Sequence, residues 1–308
     1  MTRDKILARV TVTAPATTSN LGPGFDCLGL ALGLRNELTL ELHDATGPAL
    51  VEIDGQGADT LPAGEQNMLV FAARQALPHA LPGRLVFKAR NRVPLARGLG
   101  SSAAAIVSGL WAGAHLLGTL RRTEDELEQM AVTIEGHPDN VAPCVHGGLT
   151  ASLVVDGRAR AHRLNIHSAL SSVVCIPEFE LSTKKARGVL PETVFLKDAV
   201  YNSSRALLLA RALETGRVAR LPELMKDRLH QPYRAKLVPG LEDALAAAVE
   251  AGAAGAALSG SGPTVFAFVE GRHGHAVGEA MTKSFAKHGI ASRWLALPVD
   301  SQGVQVLR

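Results

Sequence analysis

Pro94-Leu95-Ala96-Arg97-Gly98-Leu99-Gly100-Ser101-Ser102-Ala103-Ala104-Ala105 sets two glycines and two serines directly before a long Ala-rich apolar run. Glycine allows positive φ and lets a backbone come close to a ligand. Serine is a favoured N-cap, so a helix is expected to open there and run over residues 102–117. A helix N-terminus presents free N–H groups and the positive end of its dipole, which suits a phosphate. Arg97 adds a positive charge beside that point. The segment is not the Walker pattern, which needs Gly-Lys-Ser/Thr after four spacer residues, nor the dinucleotide fingerprint Gly-x-Gly-x-x-Gly. It reads as a cradle for the phosphates of a nucleotide triphosphate.

The surrounding chain has 308 residues, 46% of them hydrophobic, enough for one large domain or two of ordinary size. The net charge is +3 and no Lys/Arg block stands out, so composition does not suggest nucleic acid. Aromatics at 4% argue against stacking platforms for single strands. Cys27, Cys144 and Cys175 fit no zinc or disulfide spacing, and an odd count points to free thiols in a reducing compartment. The N-terminus does not read as a signal peptide, and no apolar run reaches membrane-spanning length. The expectation is a cytoplasmic protein with no membrane partner.

Periodicity gives the rest of the outline. Residues 6–12 and 37–42 alternate as strands, with 14–24 between them reading as a polar loop. Residues 67–77 have helical spacing, and 85–88 form a short strand feeding the glycine loop. Residues 123–134 are an amphipathic helix opened by a Thr123/Glu126 capping box. Residues 147–155 return as strand. The pattern then changes near Asp156: strand 173–176, helices 198–214, 221–229 and 241–251, strands 256–258 and 264–269, helix 275–288 and strand 293–297. Strands around a tight Ser/Gly turn, followed by helix and strand, suit a split βαβ sandwich. Two α+β halves are expected, residues 1–155 and 156–308, with a cleft between them.

Three more segments are rich in polar chemistry. Ala14-Pro15-Ala16-Thr17-Thr18-Ser19-Asn20-Leu21-Gly22-Pro23-Gly24-Phe25-Asp26 offers Asn20 and Asp26 to the polar groups of a small substrate, or to their own backbone in a turn. Glu135-Gly136-His137-Pro138-Asp139-Asn140-Val141-Ala142-Pro143 supplies carboxylates. Phosphoryl transfer needs a metal across the β- and γ-phosphates and often a carboxylate near the attacking hydroxyl. Mg²⁺ is satisfied by one or two carboxylates plus phosphate oxygens and water. Glu135, at a helix C-terminus where negative charge is unfavourable, calls for a cation partner. Leu258-Ser259-Gly260-Ser261-Gly262-Pro263-Thr264 is a second glycine-serine turn, whose backbone would close on the phosphates from the other half.

Taken in order, these motifs resemble the GHMP kinase superfamily. Residues 94–104 look like its phosphate loop, 14–26 like its N-terminal substrate motif and 258–264 like its C-terminal glycine motif. Within it, Thr18–Asp26 and His137–Pro143 are most similar to the homoserine kinases. That similarity continues through Leu181-Ser182-Thr183-Lys184-Lys185-Ala186-Arg187 and Gln231-Pro232-Tyr233-Arg234, and so spans nearly the whole chain. The resemblance implies an α+β fold of two domains, the first like domain 2 of ribosomal protein S5 and the second a ferredoxin-like sandwich. It implies transfer of the γ-phosphoryl group of ATP to the side-chain hydroxyl of L-homoserine, on the threonine pathway, with a homodimer compatible. It implies ATP at Pro94, Leu95, Ala96, Arg97, Gly98, Leu99, Gly100, Ser101, Ser102, Ala103, Ala104, Gly260, Ser261 and Gly262. Substrate would lie near Asn20, Asp26, His137, Asn140, Thr183, Arg187 and Arg234, and Mg²⁺ beside Ser102 and Glu135.

A carboxylate such as Asp26 suits the ammonium or hydroxyl end of homoserine, and Arg187 and Arg234 suit its α-carboxylate. Asp139, Asn140 and Glu135 are the catalytic candidates. Two routes for the hydroxyl proton stand open: Asp139 as base, or an amide (Asn140) facing the hydroxyl with the proton passing to the γ-phosphate. Three rivals are a GHMP-type kinase for another small alcohol, a non-catalytic nucleotide-binding module and an ATP-using decarboxylase of the same fold. The last should lack the two arginines.

Overall fold

A computed structural model describes residues 5–118 and 122–307. Seven strands form the first sheet. Its spine is β1 (Ile6–Asn20) antiparallel to the 20-residue β2 (Gly24–His43). The second half of β2 pairs with β4 (Arg84–Asn91), which lies parallel to β3 (Leu50–Gly55). The first half of β2 pairs with β5 (Leu149–Val155), and β5 with β6 (Arg158–Leu164). The last strand, β11 (Gln305–Leu307), returns to the free edge of β1. Leu38, Leu40, Leu42, Val10, Val12 and Phe87 alternate toward one face, as a half-buried sheet requires, and are buried there. Four helices cover that face: α1 (Met68–Ala76), α2 (Ser101–His115), α3 (Glu124–Glu135) and α4 (Pro138–His146). Helix α2 is apolar on nearly every side and is buried along most of its length, as its composition predicts.

The second sheet has four antiparallel strands, β7 (Leu170–Pro177), β8 (Gly255–Leu258), β9 (Val265–Glu270) and β10 (Ser292–Leu297), in the order β10-β7-β9-β8. Fourth, first, third, second is the order of a split βαβ sandwich, as expected. Between β7 and β8 run α5 (Thr183–Arg187), α6 (Leu196–Thr215), α7 (Leu221–Leu224), α8 (Gln231–Arg234) and α9 (Leu241–Glu250), and α10 (Gly274–Lys287) joins β9 to β10. The core of this sheet is built from Val173, Val265, Ala267, Met281 and Phe285. Among the described residues no helix is long and apolar enough to cross a membrane. No cysteine is disulfide-bonded; Cys144 and Cys175 are buried and Cys27 half-buried.

Four expectations need correction. Residues 14–20 are not a loop: β1 continues to Asn20, buried throughout. A register shift falls between Pro15 and Ala16, which accommodates a residue without an N–H. The hydroxyls that made the segment look exposed are spent internally, Ser259 Oγ on Thr18 Oγ1 at 2.8 Å and Thr17 Oγ1 on Asn140 Oδ1 at 2.8 Å. Helix α2 has no serine cap: its N-cap is Gly100, in the left-handed region at φ 67°. The 221–229 helix stops at Leu224, because the Asp227 carboxylate draws the N–H groups of Leu229, His230 and Gln231 into a separate turn. The first sheet takes in β6 and β11, both beyond the expected boundary at 155/156, because β5 and β6 form one hairpin and the chain end pairs with β1.

Candidate active site

The cleft lies where both sheets deliver their loops, and has a volume of about 260 Å³. Its floor is the start of α2. Gly98 (φ 73°) and Gly100 fold the chain so that the helix opens into the cleft. A Cβ on Gly100 would stand 1.9 Å from Thr17 Oγ1, and one on Gly98 2.2 Å from the Ser259 carbonyl oxygen, so neither position admits a side chain. The second glycine-serine turn packs against this loop. Ser259 Oγ donates to the Gly98 carbonyl at 2.6 Å, and Gly260 N donates to the Ser19 carbonyl at 3.2 Å.

Of the phosphate-loop residues named from sequence, Ala96, Arg97, Gly98, Gly100, Ser101 and Ser102 line the cleft, as do Gly260 and Ser261. Pro94, Leu99, Ala103 and Ala104 are buried beneath it and carry the loop instead. Gly262 stands behind the turn, its N–H given to the Ser259 carbonyl. Arg97 is tied down: it donates to the carbonyls of Leu95 and Glu178, at 3.0 and 3.2 Å, and lies 3.6 Å from Glu180. It braces the loop to the chain after β7. Leu95 faces a second cavity of about 240 Å³, lined also by Leu61, Met68, Leu69 and Ala105, which shares Ser101 and Ser102 with the cleft. Sequence reasoning missed this chamber. Its walls come from separate segments, and the one signal was the position of the 67–77 helix just before the loop.

On one side of the helix start, Ser102 Oγ donates to Glu135 Oε2 at 2.7 Å. Glu135 ends α3, where no basic residue offsets it. Burial there pushes its carboxyl above the usual range, against the pull of Ser102 and His137. His137 Nδ1 sits 2.6 Å from Asp139 Oδ1. Burial disfavours the imidazolium, but the hydrogen bond and charge of Asp139 outweigh it and raise the His137 pKa. Asn140 is held at both ends of its amide, accepting from Thr17 Oγ1 and donating to Ser19 Oγ at 3.0 Å. Ser19 lines the cleft and was not singled out from the sequence.

The far end is a charged pocket. Asp26, in the left-handed region at φ 55°, takes a bidentate pair from Arg187 at 3.0 and 2.7 Å. Arg187 belongs to α5, which Ser182 caps, and Thr183 Oγ1 in its first turn lies 3.4 Å from Ser261 Oγ. Asn20 locks the corner: its amide donates to the Gly260 carbonyl at 2.9 Å and accepts from Asp26 N at 3.1 Å. Arg234, on α8, is only 2% exposed. Burial, with Arg187 nearby, lowers its pKa to about 10, which leaves it charged at neutral pH. All seven residues expected around the substrate therefore line one cleft with Glu135 and Asp139. Asp26 and Arg187, expected to hold opposite ends of a ligand, here hold each other.

The family model for the GHMP kinases N terminal domain matches residues 67–148, and that for GHMP kinases C terminal matches residues 209–287. A homoserine kinase from Moorella thermoacetica is 47% identical over 298 residues, 96% of this chain and 99% of that protein. One from Nostoc punctiforme is 40% identical, over 97% of this chain and 99% of its own. The crystal structure of a homoserine kinase from Cytophaga hutchinsonii superposes with a TM-score of 0.87 at 31% identity, covering 100% of this chain and 98% of that one. A mevalonate kinase from L. major, at 18% identity and a TM-score of 0.71, shares the fold.

Proposed function

The chain belongs to the homoserine kinases of the GHMP kinase family, and from that premise we propose the following reaction at this cleft. It transfers the γ-phosphoryl group of ATP to the side-chain hydroxyl of L-homoserine, giving O-phospho-L-homoserine for threonine synthesis in the cytoplasm. One observation carries the substrate reading. Arg234 has three of its five N–H groups tied to protein acceptors, and the two on Nη2 have none among the described residues. Beside it stands the Asp26–Arg187 pair. A zwitterion matches that arrangement: its ammonium goes to Asp26, and its carboxylate to Arg187 and the free edge of Arg234.

The nucleoside end of ATP suits the apolar chamber of Leu61, Met68 and Leu95, which opens at Ser101 and Ser102. The phosphates then pass the start of α2, where free N–H groups and the helix dipole favour them. Ser102 Oγ and the Glu135 carboxylate are hard oxygen donors that fit Mg²⁺, and the burial-raised Glu135 gains from a cation in place of a proton. Bound there, Mg²⁺ would neutralise charge growing between the β- and γ-phosphates. Asn20, Asp26, Arg187 and Arg234 aim the hydroxyl, and positioning accounts for most of the rate in a loose transfer. Asp139 is the base on this reading, with His137 orienting its carboxylate; Asn140 holds Ser19.

The test is coupled ADP release over a panel of small alcohols that includes homoserine, mevalonate and sugars. Homoserine should be preferred, and absence of that preference refutes the substrate assignment. If Asp139→Asn leaves kcat intact while Asn140→Ala or Asp26→Ala abolishes it, the proton goes to the γ-phosphate and Asp139 is not the base.

A further inference from the structure

His230 takes no part in the scheme above, yet it is a fully buried histidine in contact with Arg234, which lines the cleft. Its exposure is 0%. Its ring lies against the Phe25 ring, centroids 5.2 Å apart and planes at 21°. Nε2 is 2.8 Å from the Gly22 carbonyl oxygen and Nδ1 is 3.2 Å from Arg234 Nη1. Both neighbours are one-way. A carbonyl only accepts, so Nε2 carries the proton; a guanidinium only donates, so Nδ1 is bare. The ring is a neutral Nε2–H tautomer. Burial and the Arg234 charge push its pKa down, against the pull of Asp227. Asp227 does not compete for the ring, since its oxygens accept from the backbone of Leu229, His230 and Gln231 and from Asn202 Nδ2, and its Oδ2 stays 3.7 Å from His230 Nε2.

Arg234 is therefore fixed on three sides: Nε to the Ala186 carbonyl at 3.2 Å, Nη1 to the Gly260 carbonyl at 3.0 Å, and Nη1 to His230. Two of those anchors are backbone. His230 is the side-chain anchor, and through Gly22 it connects the guanidinium to the turn that leads into Phe25 and Asp26. On the reading of homoserine as substrate, we infer that His230 is a positioning residue for the α-carboxylate: its unprotonated Nδ1 holds the Arg234 guanidinium so that Nη2 faces the cleft, in register with the Asp26–Arg187 pair.

The two ring nitrogens are separable by substitution. His230→Asn retains an acceptor near the Nδ1 position and discards the Gly22 contact; His230→Gln retains a donor near Nε2 and discards the Arg234 contact. Both lose the ring stack on Phe25 and each keeps one polar contact, so the direction of their difference tells whether the Arg234 or the Gly22 contact matters for the carboxylate. The expected result is a homoserine KM raised about tenfold or more in His230→Gln, the size of a lost hydrogen bond to a charged group. His230→Asn should be much closer to wild type, with ATP KM unchanged in both. With 3-aminopropan-1-ol, which lacks the α-carboxylate, the two variants should be equal. Equal homoserine KM values in Asn and Gln, or the same gap on 3-aminopropan-1-ol, overturn the inference. A second reading needs no variant. The ¹⁵N shifts of the wild-type His230 ring should report the neutral Nε2–H tautomer and move at Nδ1 when homoserine, but not 3-aminopropan-1-ol, is added; an Nδ1–H or doubly protonated ring overturns it. A wild-type protein inert toward homoserine would refute the substrate reading, while the ring tautomer would still decide the Arg234 contact.

Discussion

Gly100→Ala tests the phosphate loop at its tightest point. The residue is the N-cap of α2 at φ 67° and ψ 26°, where a Cβ costs roughly 1–2 kcal/mol. The new methyl would also stand 1.9 Å from Thr17 Oγ1 and 3.2 Å from Asn140 Oδ1. It must expel the hydroxyl that donates to Asn140, and stranding a buried acceptor costs about 1–3 kcal/mol. The expected loss is thus about 2–5 kcal/mol of folding stability, together with a raised KM for ATP. Urea unfolding at constant m, in the wild-type and Thr17→Ala backgrounds, separates the two contributions. Thr17→Ala has already removed the donor, so there Gly100→Ala should cost only the backbone part, roughly 1–2 kcal/mol. The same loss in both backgrounds, or a Gly100→Ala protein within about 0.5 kcal/mol of wild type, would refute the reasoning.

Glu135→Gln keeps the hydrogen bond from Ser102 but removes the charge; the Mg²⁺ concentration for half-maximal rate should rise at least tenfold, read by titration at saturating ATP, about 1.4 kcal/mol. Glu41 is fully buried, and burial alone would raise its carboxyl, but hydrogen bonds from His43, Lys88 and Arg9 prevail and lower it from 4.5 to about 2. A depressed folded pKa stabilises above pH 4.5 and loses that stabilisation as pH falls toward 2. Glu41→Gln should flatten that part of an acid-unfolding curve. Asp26→Asn leaves Arg187 without its carboxylate partner, and the homoserine KM should rise more than the ATP KM in steady-state kinetics.

Two helix starts are legible locally. The Thr123/Glu126 capping box forms as read, and Asn67 caps α1 at the start of the expected helix. What composition could not reveal was where polar side chains spend their hydrogen bonds. Thr17 and Asn140 are 123 residues apart, and only their meeting explains why a hydroxyl-rich segment is a buried strand rather than a loop. Asp26 and Arg187, 161 residues apart, were assigned separate ends of a ligand because nothing local says that they pair. Nothing local shows that Arg97, a positive charge beside the phosphate loop, is tied down, because its acceptors, the Leu95 and Glu178 carbonyls, carry no signature in the sequence. The strands β6 and β11 escaped notice for a different reason. One alternates arginine with small residues and the other has three residues, too little apolar pattern to register as strand.

The pairing of β11 with β1 sets a condition on how the molecule is made. Every residue of the cleft precedes Gln305–Leu307 in the sequence, yet β1 keeps an open edge until β11 pairs with it. A chain cut before Gln305 would keep every residue that lines the cleft and still present an unpaired strand to any neighbour, the surface from which aggregation starts. The strand thus guards a sheet edge while touching none of the chemistry, so closure of the sheet and assembly of the cleft are separable events.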